Sequence, residues 1–138
     1  MSFNTWHIRF KFASNAVRLI ADGSLYVFAF IHSRVHNAWM RTTSGRLKSD
    51  YQYSSKDTYN NLIWPDVTPE QEAEIAQLGQ AVFDARAQYP DSTIAQMYDP
   101  DNDWMYPELT KAHAALDAAV ERAYGLEPGC EEKRLFRF

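Results

Sequence analysis

Gly45-Arg46-Leu47-Lys48-Ser49-Asp50-Tyr51-Gln52-Tyr53-Ser54 is the stretch on which the fold class turns. With a period of two, Leu47, Ser49, Tyr51 and Tyr53 fall on one side, and Arg46, Lys48, Asp50 and Gln52 on the other. That is the pattern of a half-buried strand whose wet face carries two cations, a carboxylate and an amide at steps of roughly 6 to 7 Å. Such a row can donate to and accept from base edges. It can equally be the solvated face of an edge strand, where mixed charge blocks edge pairing. Tyr51 and Tyr53 share parity with Leu47, so packing is expected of them rather than stacking on bases.

Upstream, Trp6, Ile8, Phe10 and Phe12 alternate with His7, Arg9 and Lys11, which reads as an antiparallel strand with a basic outer face. Val17 to Ile20 is a second short strand, followed by a turn at Asp22-Gly23. From Ser24 the period changes. Leu25, Phe28, Ile31, Val35, Ala38 and Trp39 recur at three- and four-residue steps and predict one helix from Ser24, its N-cap, to about Arg41.

Downstream, Tyr59 to Pro65 is an extended segment, stopped by its proline. Thr68-Pro69-Glu70-Gln71 then combines an N-cap, a first-turn proline and a capping-box Gln. The helix it opens runs to about Gln88 with Ile75, Leu78, Val82 and Ala85 on one face. Ser92 is expected to cap a short helix holding Ile94, Ala95, Met97 and Tyr98. Pro107 opens another with a stripe of Leu109, Ala112, His113, Leu116, Val120 and Ala123, and Gly125 is its αL terminator. Glu131 to Phe138 could begin a last helix. The expected fold class is α+β and mostly helical: short N-terminal β-strands and a recognition strand in residues 1–65, then a small helical bundle in residues 66–138.

At 138 residues and 46% hydrophobic, the chain can bury a core and is one domain, or one small domain with part of another. The lone Cys130 excludes an internal disulfide, and the longest apolar run, Leu25 to Ile31, is too short to span a bilayer. Met1 to Phe12 lacks the features of a signal peptide. A soluble, cytoplasmic protein is expected. The net charge of −4 hides a division: residues 1–65 hold eight Lys/Arg against three acids, and residues 66–138 hold six against fifteen. Only the first half, at +5, suits a polyanion; the second, at −9, should face elsewhere.

The catalytic and metal-binding patterns are incomplete. His32 and His36 have the four-residue spacing of a shared metal, but Ser33 stands where a zinc protease has Glu. Asp99, Asp101 and Asp103 resemble the start of a calcium loop, yet Trp104 and Thr110 occupy the glycine and glutamate positions, so a solvated turn is expected. Asp91 with Glu131 and Lys133 can be fitted to a nuclease pattern only in its most degenerate form, within the anionic half. The sequence has no Gly-x-Gly cofactor turn, Walker loop or Gly-x-Ser-x-Gly. No catalytic, cofactor-binding or metal residues are therefore assigned. Arg9, Lys11, Arg34, Arg41 and Arg46 are candidates for phosphates, with Lys48 and Asp50 among them for bases.

Ser33-Arg34-Val35-His36-Asn37-Ala38-Trp39-Met40-Arg41, the Gly45–Ser54 stretch, and Tyr59-Asn60-Asn61 with Trp64-Pro65 resemble the end of the target-recognition domain of MmeI-type bacterial DNA adenine methyltransferases, which fuse restriction and modification in one chain. Asp84-Ala85-Arg86, the run from Ile94 to Pro100, and Ala112-His113 with Leu116-Asp117 are similar to that family's C-terminal helical domain. The resemblance covers nearly everything from about residue 24. It departs at the longer, acidic turn Asp99 to Tyr106, and Met1 falls inside the recognition domain.

The resemblance implies a fragment. The family's methyltransferase core, with its Asn-Pro-Pro-Tyr motif and S-adenosylmethionine pocket, precedes this region, so no enzyme activity is expected of the chain alone. It also implies that Lys48 and Asp50 read bases, since their counterparts vary together with the recognised base pair. The chemistry agrees, because Lys donates to guanine O6 and N7 and Asp accepts from cytosine N4. Expected partners are double-stranded DNA and the methyltransferase core. A homodimer through strand surface exposed at Trp6 to Phe12 would follow from a truncated recognition domain. The competing expectation is a protein-interaction module, such as the helical subunit of a split methyltransferase.

Overall fold

The computed structural model describes residues 23–43, 45–47, 50–52 and 58–130. Five helices are named in chain order: α1 (Leu25–Ile31), α2 (Arg34–Thr43), α3 (Pro69–Ala87), α4 (Ile94–Met97) and α5 (Pro107–Ala123). A 3-10 helix, Pro100–Met105, links α4 to α5, and strands β1 (Gly45–Leu47) and β2 (Asp50–Gln52) follow α2.

The long α3 is the centre of the packing, with α1 against one side and α5 against the other. Its start is the capping box read in the sequence: Thr68 Oγ1 accepts from the Gln71 N–H at 3.2 Å, and Gln71 Oε1 accepts from the Thr68 N–H at 3.0 Å. Ile75, Val82 and Ala85 are buried and Leu78 packs against them, which makes this the core face the spacing predicted. Gly79 sits where α1 crosses. A Cβ there would lie 2.7 Å from the Ala29 Cβ, so only glycine allows the two backbones so close. Leu109, Leu116, Ala119 and Val120 of α5 close the other side, and Gly125 ends α5 with a φ of 74°.

Three expectations are corrected. The first is the single helix from Ser24 to Arg41. Ser24 does cap α1, its Oγ accepting from the Val27 N–H at 3.3 Å, but the helix stops at Ile31 and restarts at Arg34. Ser33, almost fully buried, causes the break. Its Oγ donates to the Phe30 carbonyl at 2.6 Å and accepts from the His36 N–H at 3.3 Å, ending one helix and capping the next. The face turns as well: Ala29 and Phe30 are buried, whereas Leu25 is exposed and Phe28 and Ile31 are only half-buried. The second correction is the cap of α4, which is Thr93 in a capping box with Gln96; Ser92 Oγ instead accepts from the Tyr106 hydroxyl at 3.0 Å.

The third concerns the fold class. The α+β class is overturned: the described residues form a helical fold. The recognition strand is not one strand. β1 and β2 pair antiparallel with Gly45 opposite Gln52, Arg46 opposite Tyr51 and Leu47 opposite Asp50. The chain therefore reverses between Leu47 and Asp50, and two strands of three residues make a hairpin too small to be a structural layer. The strands expected at Trp6–Phe12 and Val17–Ile20, and the last helix at Glu131–Phe138, lie outside the described residues. Among the described residues no helix is long and apolar enough to cross a membrane.

Candidate nucleic-acid interface and its anchor

The register of the hairpin regroups the polar row. Directly opposed residues of an antiparallel pair lie on one face. Asp50 is therefore opposite Leu47, Gln52 opposite Gly45 and Arg46 opposite Tyr51, and these polar residues do not follow one another along one strand. Lys48 lies outside the described residues, between the two strands, as do Arg9 and Lys11. Arg41 is half-buried in the last turn of α2, where a cation also suits the negative end of the helix dipole.

The hairpin stands on a closed neck. Thr58, fully buried, gives its carbonyl to the Trp39 indole N–H at 2.8 Å, and its hydroxyl lies 3.1 Å from the Thr43 hydroxyl. Residue 43 leads into the hairpin and residue 58 follows it, so these contacts pin both ends of the connecting loop to α2. Trp39 was read in the sequence only as an apolar repeat, and its indole N–H could have been flagged as needing a partner.

Arg34, a phosphate candidate by sequence, has its guanidinium engaged within the molecule. Nη1 donates to Glu121 Oε1 at 2.7 Å and Nη2 donates to the Cys130 carbonyl. The Arg34 backbone N–H, first of α2, donates to Asp117 Oδ1 at 2.7 Å. A carboxylate at a helix N-terminus satisfies an orphan donor and complements the dipole. Glu121 is 1% exposed and also accepts from the Gly129 N–H through Oε2 at 2.7 Å, so both its oxygens are used. Burial pushes the Asp117 carboxyl up to about 6, reinforced by the charge of Glu121 and opposed by its hydrogen bond from Arg34. The sequence reading missed Glu121 because Glu at that place reads as a solvated helix position.

A second polar cluster adjoins this anchor. Arg86 donates through Nε and Nη2 to the Tyr98 hydroxyl, at 2.9 and 2.6 Å, and that hydroxyl donates to His113 Nε2 at 2.6 Å. Burial, then the charge of Arg86, drive the His113 imidazole down to about 4, so it is the neutral acceptor this arrangement requires. Tyr98 and His113, with His32, Asn37 and Asp117, line an open cavity of about 480 Å³. The His32 ring lies tilted against Phe28, 4.0 Å between centroids, and holds the Phe28 carbonyl through Nδ1 at 2.8 Å, while burial brings His36 down to about 4. Among the described residues no group of three or more His, Cys, Asp or Glu could hold a metal ion. The Asp99 carboxylate accepts from the Asp101 N–H at 3.0 Å and caps the 3-10 helix.

A basic first segment carrying a small hairpin, footed on an acidic helical segment, is the arrangement of a recognition element with its support. Comparison with known proteins gives the family. The model of the MmeI target recognition domain matches residues 8–66, and that of the MmeI C-terminal domain matches residues 67–137. The chain belongs to the MmeI family. It is 36% identical over 111 residues to DNA methyltransferase A of Bacillus subtilis, which covers 80% of this chain and 12% of that protein. It is also similar to the solved structure of the Type IIL restriction-modification enzyme MmeI in complex with DNA. There the TM-score is 0.77 at 36% identity, over 83% of this chain and 15% of the other. The chain thus spans a small part of the relatives it matches, and what it matches is the family's recognition and C-terminal domains.

Proposed function

We propose that this chain is the DNA-recognition and helical spacer part of an S-adenosylmethionine-dependent, adenine-specific DNA methyltransferase, binding double-stranded DNA by sequence with no catalytic site of its own. The observation that carries the reading is the recognition-domain match over residues 8–66 together with the likeness to MmeI solved on DNA. The methyltransferase core, with its cofactor, is the partner that would do the chemistry. Lys48 and Asp50 jointly specify one G·C pair, Lys48 donating to guanine and Asp50 accepting from cytosine N4. Arg9, Lys11, Arg41 and Arg46 hold phosphates. Arg34, bonded as it is to Glu121 and Cys130, serves chiefly to place α2.

The test is the double exchange Lys48→Glu with Asp50→Arg in a full-length methyltransferase carrying this segment. The preferred base should change at one position of the methylated site and at no other. An unchanged site, read by sequencing the modified DNA, would refute the assignment.

A second reading has its own observation. Trp104, 78% exposed, and the exposed Ile94 and Met105 lie among Asp91, Asp99, Asp101, Asp103 and Glu108, with no Lys or Arg between Ala87 and Thr110. Exposed apolar side chains in an acidic setting repel DNA and suit a protein surface. If the chain is purely an interaction module, short duplexes at low salt will show no binding that salt can titrate.

A further inference from the structure

The hydrogen bonds at the start of α2 join the two family segments at one point. Arg34 belongs to the recognition segment, whereas Asp117, Glu121 and Cys130 belong to the C-terminal one. From this foot α2 runs ten residues, roughly 15 Å, straight to the neck that holds the hairpin. A rod of that length turned by about 10° at its foot moves its far end by roughly 2 to 3 Å. Groups that read base edges must be held to about half an ångström. The direction of α2 therefore decides whether the hairpin can read at all.

The apolar contacts of α2 set that direction only loosely. Val35 and Ala38 are buried, but packing through two small aliphatic groups favours a crossing angle only to within about 15–20°. The bonds at the foot are directional. The Arg34 N–H lies along the helix axis and ends on Asp117, and the guanidinium fork reaches sideways to Glu121 and the Cys130 carbonyl. Glu121 is held in turn by the Gly129 N–H, so the side of the foot is fixed to the loop after α5 as well as to α5 itself. Two directions are fixed by two carboxylates one helical turn apart on a single helix.

We propose that Asp117 and Glu121 are positioning residues for DNA reading: from the C-terminal segment they set the direction of α2 and so the presentation of the Gly45–Gln52 hairpin. The proposal rests on the hairpin being the base-reading element. The C-terminal segment then acts as the mount of the reader, and substitutions in it change selectivity without touching DNA.

The test uses the whole chain with Cys130→Ser, because only the Cys130 carbonyl takes part, and spin labels on Thr42→Cys at the far end of α2 and Lys111→Cys on α5. It adds enrichment from a pool of random duplexes and non-specific binding to one short duplex at low salt. Asp117→Leu removes the acceptor at the foot, and Asp117→Asn keeps it. Arg34→Lys keeps the charge and loses the fork, and it serves if Asp117→Leu does not fold.

The expected result is a single narrow label distance in the parent chain and in Asp117→Asn, and a broadened or displaced one in Asp117→Leu and Arg34→Lys. Sequence enrichment should fall about tenfold in the latter two, the loss expected for a misplaced base contact, with non-specific affinity nearly unchanged. Label distances and enrichment identical in all variants overturn the proposal. A loss of enrichment equal in Asp117→Asn and Asp117→Leu overturns it too, since the retained acceptor should rescue. If the parent chain binds no duplex, the DNA reading fails by itself, while the label distances still decide whether this foot directs α2.

Discussion

The α1 and α2 helices are neighbours in sequence, yet they are held by opposite means. α1 lies on α3 through apolar surface: Phe30 is fully buried with the Trp64 ring 4.6 Å away, Phe28 stacks on Phe83 at 4.1 Å, and Gly79 lets the Ala29 backbone approach. α2 begins on hydrogen bonds to two carboxylates and a carbonyl. The difference separates two jobs. Burying apolar area supplies most of the stability and tolerates small rotations. Directional bonds to buried charge add little net stability but penalise every other arrangement. The helix that leads to the hairpin is the one held by direction.

That contrast breaks first at Phe30. Phe30→Ala removes the largest fully buried side chain among the described residues and should cost about 3–5 kcal/mol, read from denaturant unfolding. A loss no greater than that of an exposed substitution would mean that the α1 contact is not the stabilising one. Gly79→Ala is the next largest. In an ordinary helix interior the change gains up to about 1 kcal/mol. Here the new Cβ meets Ala29 at 2.7 Å and the Leu25 carbonyl at 3.2 Å, so a loss of about 1–3 kcal/mol is expected instead.

The smallest effect is on pH, because two contributions oppose. His36 and His113 stand near 4 in the folded chain against 6.5 when unfolded. Between those values the unfolded state binds more protons, so their contribution is complete above pH 6.5 and is lost as pH falls towards 4. Asp117 stands near 6 against 3.8, so the folded state binds the extra proton and stability from this group rises as pH falls through 6. Burial lowers the His32 imidazole as well, so three imidazoles against one carboxyl give a net fall in Tm from pH 7 to pH 5. Asp117→Asn should steepen that fall and His113→Gln should flatten it; the reverse order would contradict the assignment.

Much of the helical part was legible in the sequence because local chemistry announced it. Thr68-Pro69-Glu70-Gln71 gave the start of α3 and Gly125 the end of α5, each where a backbone group needs a specific residue. The break at Ser33 was hidden because apolar residues continue at helical spacing on both sides of it, and a serine interior to such a run differs from a cap only in its bonds. The hairpin was hidden by the same kind of degeneracy. A period of two is shared by one long strand and by two short ones, and Lys48-Ser49 carries none of the Gly, Asn or Asp that mark a hairpin turn. Of the site, the basic charge of the first half and the family resemblance were readable. The anchor was not: Glu121 lies on a polar-looking stretch of α5, and its partners Arg34 and Gly129 are 87 residues before it and 8 after it.

The central claim is that the basic segment binds duplex DNA while the acidic one supports it, and salt titration of duplex binding by the 138-residue chain tests it most directly. Log K should fall linearly with log salt. Replacing Arg9, Lys11, Arg41 or Arg46 by Ala should each reduce the slope by about one unit or less, while Lys111→Ala in the acidic half leaves it unchanged. An absence of binding at about 50 mM salt, or a slope that none of the four replacements alters, would contradict it.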